Sequence, residues 1–492
     1  MELVRLPEAK VELKNLIGGQ WVSASGAKAQ VLTPYLGKAI GAFHHTPAAE
    51  VAHAAEAAAR AAREWGATPI KERTQVLFKF RELLLQDLEA ISHRIAGESG
   101  KLVSEARAGL MKGIEVLEFA IAIQNLDVGG KMDVSRGVSC EYQRVPLGVV
   151  AGITPFNFPA MVPMWMIPIA LAMGNAFIWK PSDKTPLTSQ WIADALTRAG
   201  LPAGVLSIVH GGRETVEAIC DHPGIHAVGF VGSTDVARQV FLRASSAGKR
   251  ALCLGGAKNH IVLMPDAEKQ MAAQGILASF TGCAGQRCMA ASVLVSVGDT
   301  EDVLQEIQGL ASKMQLGKDM GAIISEASLD KLSAAVDRAH LQGAKILHDG
   351  RTMAKPVGYE SGFWMGPTIL DQVQPGSEAA TDELFGPVLS VVRAKNLTQA
   401  LEIASQSRYG NALSVFTQSG AVADEIVQRS RAGMIGVNIG VPVPREPFSF
   451  GGFLESRFGY GDMTGQGGME FWSNLRKVTT KWTLQKDQNW MN

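Results

Sequence analysis

The sequence is short of cysteine and has no excess of either charge. Five cysteines occur in 492 residues, an odd count at positions 140, 220, 253, 283 and 288 that offers no disulfide framework. No basic-apolar-small leader opens the chain, so the expectation is a reduced, cytoplasmic protein. Lys plus Arg and Asp plus Glu each number 47. A net charge of zero excludes a global pull toward nucleic acid or an anionic membrane and leaves only local electrostatics. Charge is missing altogether from Val145 to Trp179, a stretch long enough to cross a bilayer. Pro146, Pro155, Pro159, Pro163 and Pro168 would break a lipid-exposed helix repeatedly, so the stretch reads as the buried part of a globular domain. Internal repeats and low-complexity segments are also lacking.

What is present is an alternation of helices and short β-branched runs. Ala48 to Trp65 and Lys71 to Ala96 have helical spacing, with Thr68-Pro69 between them. From Gly148 onward GVVAGI, AFIWK, VLSIV and AVGFV read as buried strands. Ser189 to Ala199, Glu214 to Cys220 and Thr234 to Ala244 read as the helices between them. This pattern predicts an α/β fold with a parallel sheet covered on both faces. HIVLM, SVLVSV, GAKIL, LSVVR, LSVFT and MIGVN, with helices near Asp302 to Lys313 and Leu329 to Gln342, predict a second α/β domain. The alternating VTTKWTL near the C-terminus is too isolated for a sheet of its own and is expected to pair elsewhere, a partner subunit being one candidate.

Two cysteines stand close together in FTGCAGQRCMA, residues 280 to 290. No second pair of ligands accompanies them, so no metal is expected, and a reducing compartment disfavours a disulfide. One reactive and one buried thiol remain. Cys288 follows Arg287 in a Gly-Gln-Arg turn, where a cation and free amides are expected to lower the thiol pKa. Cys283, among small residues, is expected in the core.

Six segments in order, TPFNFP (154 to 159), WKPSDKTP (179 to 186), GFVGST (229 to 234), GQRCMA (285 to 290), DELFGPVL (382 to 389) and YGNALSVFT (409 to 417), are similar to those of the aldehyde dehydrogenase superfamily. The likeness runs over essentially the whole chain. PFNFPAMVPMWMIPIALAMGN, CDHPGIHAVGFVGST, GAKNH and GQRCMA resemble its CoA-acylating methylmalonate-semialdehyde dehydrogenase branch. The resemblance implies a Rossmann-like NAD-binding domain, an α/β catalytic domain and a small β oligomerisation extension. The boundaries it suggests are 1–127 and 147–253 for the cofactor domain with a return at 434–466, 254–433 for the catalytic domain, and 128–146 with 467–492 for the extension. A homodimer or homotetramer is implied.

The same resemblance assigns Cys288 as the nucleophile that adds to an aldehyde. Asn157 and the Cys288 N–H are then donors to the resulting oxyanion. NAD is expected against Thr154, Phe156, Lys180, Asp183, Gly232, Ser233, Glu383 and Phe385. Gly232-Ser233-Thr234 follows a strand and opens a helix, which suits a pyrophosphate. An acid at Asp183 disfavours a 2′-phosphate and so favours NAD over NADP. Arg287 and Lys112 match two positions that, in the branch, grip a substrate carboxylate, although lysine lacks the bidentate fork of arginine. Arg445 and Glu446 stand where relatives are usually apolar.

The most informative feature is again an absence. Hydrolytic members carry Glu-Leu-Gly-Gly-Lys, whose glutamate activates water, whereas this chain reads LCLGGAKNH. Leu254 holds the glutamate position, or Cys253 with a shift of one. Water, with a pKa of about 15.7, needs a base, while a thiol with a pKa of about 8.5 is partly ionised at neutral pH. The expectation is therefore acyl transfer to coenzyme A from a thioester on Cys288, the substrate being a 3-oxo acid and decarboxylation following. Two rivals remain. One is a hydrolytic dehydrogenase using another base, for which Glu98 is a candidate. The other is a non-catalytic homologue.

Overall fold

Helices and strands alternate through most of the chain in the computed structural model, which describes residues 3–126 and 129–482. Five short strands within residues 11–44 precede four helices: α1 (Ala48–Ala67), α2 (Ile70–Gln86), α3 (Leu88–Ser99) and α4 (Val103–Ala122). The single run expected from Lys71 to Ala96 is two helices. Asp87 leaves helical geometry at φ −100°, ψ 17° and ends one while starting the other. The apolar spacing continues across the break, so periodicity could not reveal it.

The charge-free stretch supplies the strand Val149–Ile153, the helix α5 (Met161–Ala172) and the strand Ala176–Lys180, all fully buried. Among the described residues no helix is long and apolar enough to cross a membrane. Then follow α6 (Leu187–Arg198), α7 (Arg213–Asp221), α8 (Thr234–Ser246) and α9 (Lys269–Thr281).

The first sheet has eight strands, of which five in the middle are parallel. Val149–Ile153 is followed by Ala176–Lys180 and Leu206–Ile208 on one side, and has Ala227–Val231 and then Arg250–Leu254 on the other. The order reverses between Val149–Ile153 and Ala227–Val231. Chains leaving the carboxyl ends of such strands part company and open a crevice. Thr154 to Phe158 leave one strand there, and Gly232-Ser233 leave the other.

The second sheet has seven strands. Asn259–Leu263, Ala291–Val297, Val388–Ala394 and Ala412–Phe416 form its parallel centre, with the strands almost wholly buried. This bears out an α/β fold of two parallel-sheet units.

The C-terminal strand pairs where the expected extension of 128–146 with 467–492 would have it. Ser473–Lys481 pairs antiparallel with Val138–Pro146 of its own chain, and that strand in turn pairs with Gly129–Ser135. The nine-residue register pairs one side of this strand within the chain and, as an edge strand of a three-stranded sheet, leaves its other side open. The end of VTTKWTL lies outside the described residues.

Candidate functional site

A cavity of about 1420 Å³ opens at the crevice, and its wall includes Cys288, Asn157, Lys180, Gly232, Glu383 and Phe385. Thr154, Phe156, Asp183 and Ser233 also line it. The fold therefore brings together the expected nucleophile, the expected oxyanion donor and every expected cofactor residue.

Cys288 is delivered by a strained turn. Cys283, Ala284 and Gly285 adopt φ of +54°, +52° and +69° in succession, and non-glycine residues in this region cost about 1–3 kcal/mol each. Hydrogen bonds hold the loop in place. Asn157 donates from Nδ2 to the Gln286 carbonyl at 3.0 Å. The Gln286 side chain accepts from the Ile324 N–H and donates to the Ala322 carbonyl. Asn259 and Asn411 both donate to the Cys288 carbonyl, at 2.8 and 2.9 Å. One amide N–H of Asn157 serves this anchoring, which leaves the other for a ligand.

The thiol departs from expectation. Burial pushes Cys288 up to about 12, with Glu383 adding to the rise, while its own N–H, Arg287 and Lys101 act the other way. Desolvation outweighs the cations here because the sulfur, though open to the cavity, is otherwise walled by protein. Arg287 donates from Nη2 to the carbonyls of Ala278 and Ser279 at the end of α9, while its Nε is buried without a hydrogen-bond partner among the described residues. The turn acts on the thiol in the expected direction, but burial outweighs it.

Glu383 receives the Ala257 N–H at 2.9 Å, and burial raises its carboxyl to about 7. A side chain at Gly256 would collide with its Oε2, so glycine keeps the acid exposed to the cavity. Lys180 is buried, and desolvation lowers its pKa, with Asp183 acting in the opposite sense. Trp179, beside it, donates to the Thr154 hydroxyl at 2.9 Å and fixes the crevice floor. Phe156 and Phe385 meet edge to face at 5.7 Å.

The donor set suits a dinucleotide. No side chain caps α8, so its first N–H groups stay free, and helix N-termini favour phosphate. A Cβ at Gly232 would lie 2.6 Å from the Phe230 ring, so only glycine fits this approach to the helix. Lys180 and Asp183 offer a donor and an acceptor for ribose hydroxyls, and Glu383 offers a second acceptor deeper in.

The two residues expected to bind the substrate carboxylate lie elsewhere. Neither Arg287 nor Lys112 is in the cavity wall. Lys112 on α4 donates to Glu115 at 2.8 Å and stands 3.9 Å from Glu446. The carboxylate of Glu446 is nearly buried, at 8% exposure. Glu98 is not a free base either. It is fully buried and caps α6, accepting from the N–H groups of Leu187 and Thr188 and from the Thr188 hydroxyl. Leu254 and Cys253 end a central strand and are buried among apolar residues.

Sequence reading missed Asn259, Asn411, Gln286 and Lys101. The first three sit inside GAKNH, YGNALSVFT and GQRCMA, so their segments were noticed and their contacts were not.

Similarity to known proteins follows the same outline. The sequence model of the aldehyde dehydrogenase family matches residues 21–478. Malonate-semialdehyde dehydrogenase 2 of Geobacillus thermodenitrificans is 41% identical over 95% of this chain and 99% of that protein. The malonate-semialdehyde dehydrogenase of Pseudomonas aeruginosa is 39% identical over 96% of each. Among solved structures, a methylmalonate-semialdehyde dehydrogenase (DddC) from Oceanimonas doudoroffii superposes with a TM-score of 0.94 at 37% identity, covering 96% of this chain and 99% of that one. A Sinorhizobium meliloti structure described as a methylmalonate-semialdehyde dehydrogenase complexed with NAD reaches 0.95 at 38% identity, covering 98% and 100%. With the family model matched nearly end to end and relatives aligned along their full length, the chain belongs to the aldehyde dehydrogenase family.

Proposed function

We propose that this protein oxidises a semialdehyde of the 3-oxo acid class with NAD and transfers the acyl group to coenzyme A. The relatives named for malonate semialdehyde and methylmalonate semialdehyde support that substrate class. One observation carries the acyl-transfer reading: Leu254 and Cys253, at the position of the hydrolytic glutamate, are buried in the sheet and bring no carboxylate to Cys288.

In this reading Cys288 adds to the aldehyde carbon as its proton departs. The second N–H of Asn157 and the Cys288 N–H receive the developing oxyanion. NAD, when bound, accepts the hydride expelled as that oxyanion collapses. Lys180, Asp183 and Glu383 hold its ribose hydroxyls, and the start of α8 holds its pyrophosphate. The thioester left on Cys288 bears a carboxylate on the neighbouring carbon. Loss of CO2 sends the bonding electrons into the thioester carbonyl, and a proton then quenches the carbanion. The CoA thiolate attacks the carbonyl and Cys288 leaves. Malonate semialdehyde gives acetyl-CoA in this sequence, and methylmalonate semialdehyde gives propionyl-CoA.

A second reading has support of its own. Glu383 lines the cavity, acts on Cys288 electrostatically and titrates near 7, the range of a general base. Its anchor on the Ala257 N–H favours a fixed acceptor for ribose over a base that must reach water. Assays with and without CoA, with products weighed by mass spectrometry, separate the two. A CoA thioester is expected, and free acid formed at an equal rate without CoA would favour hydrolysis.

We also assign the first sheet to cofactor binding and the second to catalysis, with a reducing cytoplasm keeping Cys288 free. The three-stranded sheet leaves Met132 and Val134 exposed at 66% and 51%. This suits a dimer or tetramer contact, which light scattering would test.

A further inference from the structure

Lys101, between α3 and α4, is buried at 4% exposure. Its ammonium rests 3.6 Å from the centre of the Phe158 ring and 2.9 Å from the sulfur of Cys283. Among the described residues no carboxylate lies within ion-pair distance of it. A buried cation held by a sulfur and an aromatic face is poorly compensated, and such a charge projects a strong field in a low-dielectric interior. Phe158 follows the oxyanion donor Asn157 and itself lines the cavity, while Lys101 does not. The ring thus stands between the amine and the cavity, and keeps from it a primary amine that condenses with aldehydes.

We propose that Lys101 is a positioning residue for the nucleophile: its buried, unpaired ammonium favours the thiolate of Cys288 through space, and Phe158 walls it off from the substrate. This rests on Cys288 as the reacting thiol. The charged groups facing that sulfur are Glu383, which opposes ionisation, and Arg287 and Lys101, which favour it. The guanidinium of Arg287 is shared with the carbonyls ending α9. Glu105 accepts the N–H groups of Leu102 and Cys283 and faces the same turn, and Lys258 faces Glu383.

The test is the rate of Cys288 alkylation by iodoacetamide, followed peptide by peptide in the full-length protein from pH 7 to 10. Lys101→Met lowers the rate at every pH, by about tenfold for each unit that the thiol rises, and Lys101→Arg restores it. A second pair leaves Lys101 untouched. Cys283→Asp places a carboxylate against the ammonium and slows Cys288, whereas Cys283→Asn, similar in size and neutral, matches the parent. Rates for Lys101→Met equal to wild type in a folded protein would overturn the proposal. If Lys101→Met does not fold, equal rates for Cys283→Asp and Cys283→Asn would do so. Neither aldehyde nor CoA enters this measurement, so its failure is distinct from failure of acyl transfer. Full turnover by Cys288→Ala would instead remove the nucleophile assignment itself.

Discussion

Asn157 donates to the carbonyl of Gln286 at 3.0 Å, a bond between residues 129 positions apart that ties the crevice loop to the loop carrying Cys288. The side chain therefore holds the Cys288 loop and keeps a second N–H in the wall of the same cavity. Asn157→Ala is expected to lower kcat by about 10²–10³, the usual effect of removing one oxyanion donor. Stopped-flow detection of the first NADH formed checks whether the loss lies in the chemical step.

Alkylation of Cys288 in the free enzyme should rise about tenfold per pH unit from pH 7 to 10 without a plateau. The folded thiol sits near 12, so in this range each unit of pH raises the thiolate fraction tenfold. A plateau beginning near neutrality would show that the cations, and not burial, govern this sulfur.

Glu383 should make NAD affinity dependent on pH near neutrality. Its folded pKa is raised to about 7 by burial, so the ionised acceptor form dominates above that value and is lost below it. NAD binding, measured by calorimetry, is expected to weaken as pH falls from 8 to 6, by up to about tenfold. Glu383→Gln should bind more weakly and without that dependence.

Lys112 is shared between Glu115 and Glu446. Releasing it with Glu115→Gln and Glu446→Gln together should lower KM for a semialdehyde carboxylate, by about tenfold if one charge-assisted hydrogen bond of about 1.5 kcal/mol is gained. An uncharged aldehyde of similar length should show little change. Equal effects on both substrates would mean that Lys112 has no part in recognising the carboxylate.

The sequence was readable wherever the information was local. Strands such as AFIWK and AVGFV carry their burial in their composition, and Cys288, Asn157 and Glu383 lie in segments whose chemistry is short-range. Lys101 reaches Cys283 across 182 positions and Asn411 reaches Cys288 across 123, contacts that only the assembled fold creates. Arg287 stands beside the thiol in sequence, but its bonds to carbonyls nine and eight positions back appear only in the fold. The thiol itself was misread for a related reason. Flanking charge is visible in a sequence, but desolvation depends on everything packed around the sulfur. The break at Asp87 had no local signal stronger than the pattern that concealed it.

The central claim is that a thioester on Cys288 waits for coenzyme A because the place of the water-activating acid is held by Leu254. Single-turnover quench with malonate semialdehyde and NAD tests it most directly, following the acylated Cys288 peptide by mass spectrometry before and after CoA is added. An acyl-enzyme that persists without CoA and discharges to acetyl-CoA on its addition is the predicted result. Discharge to free acid at the same rate in the absence of CoA would contradict it.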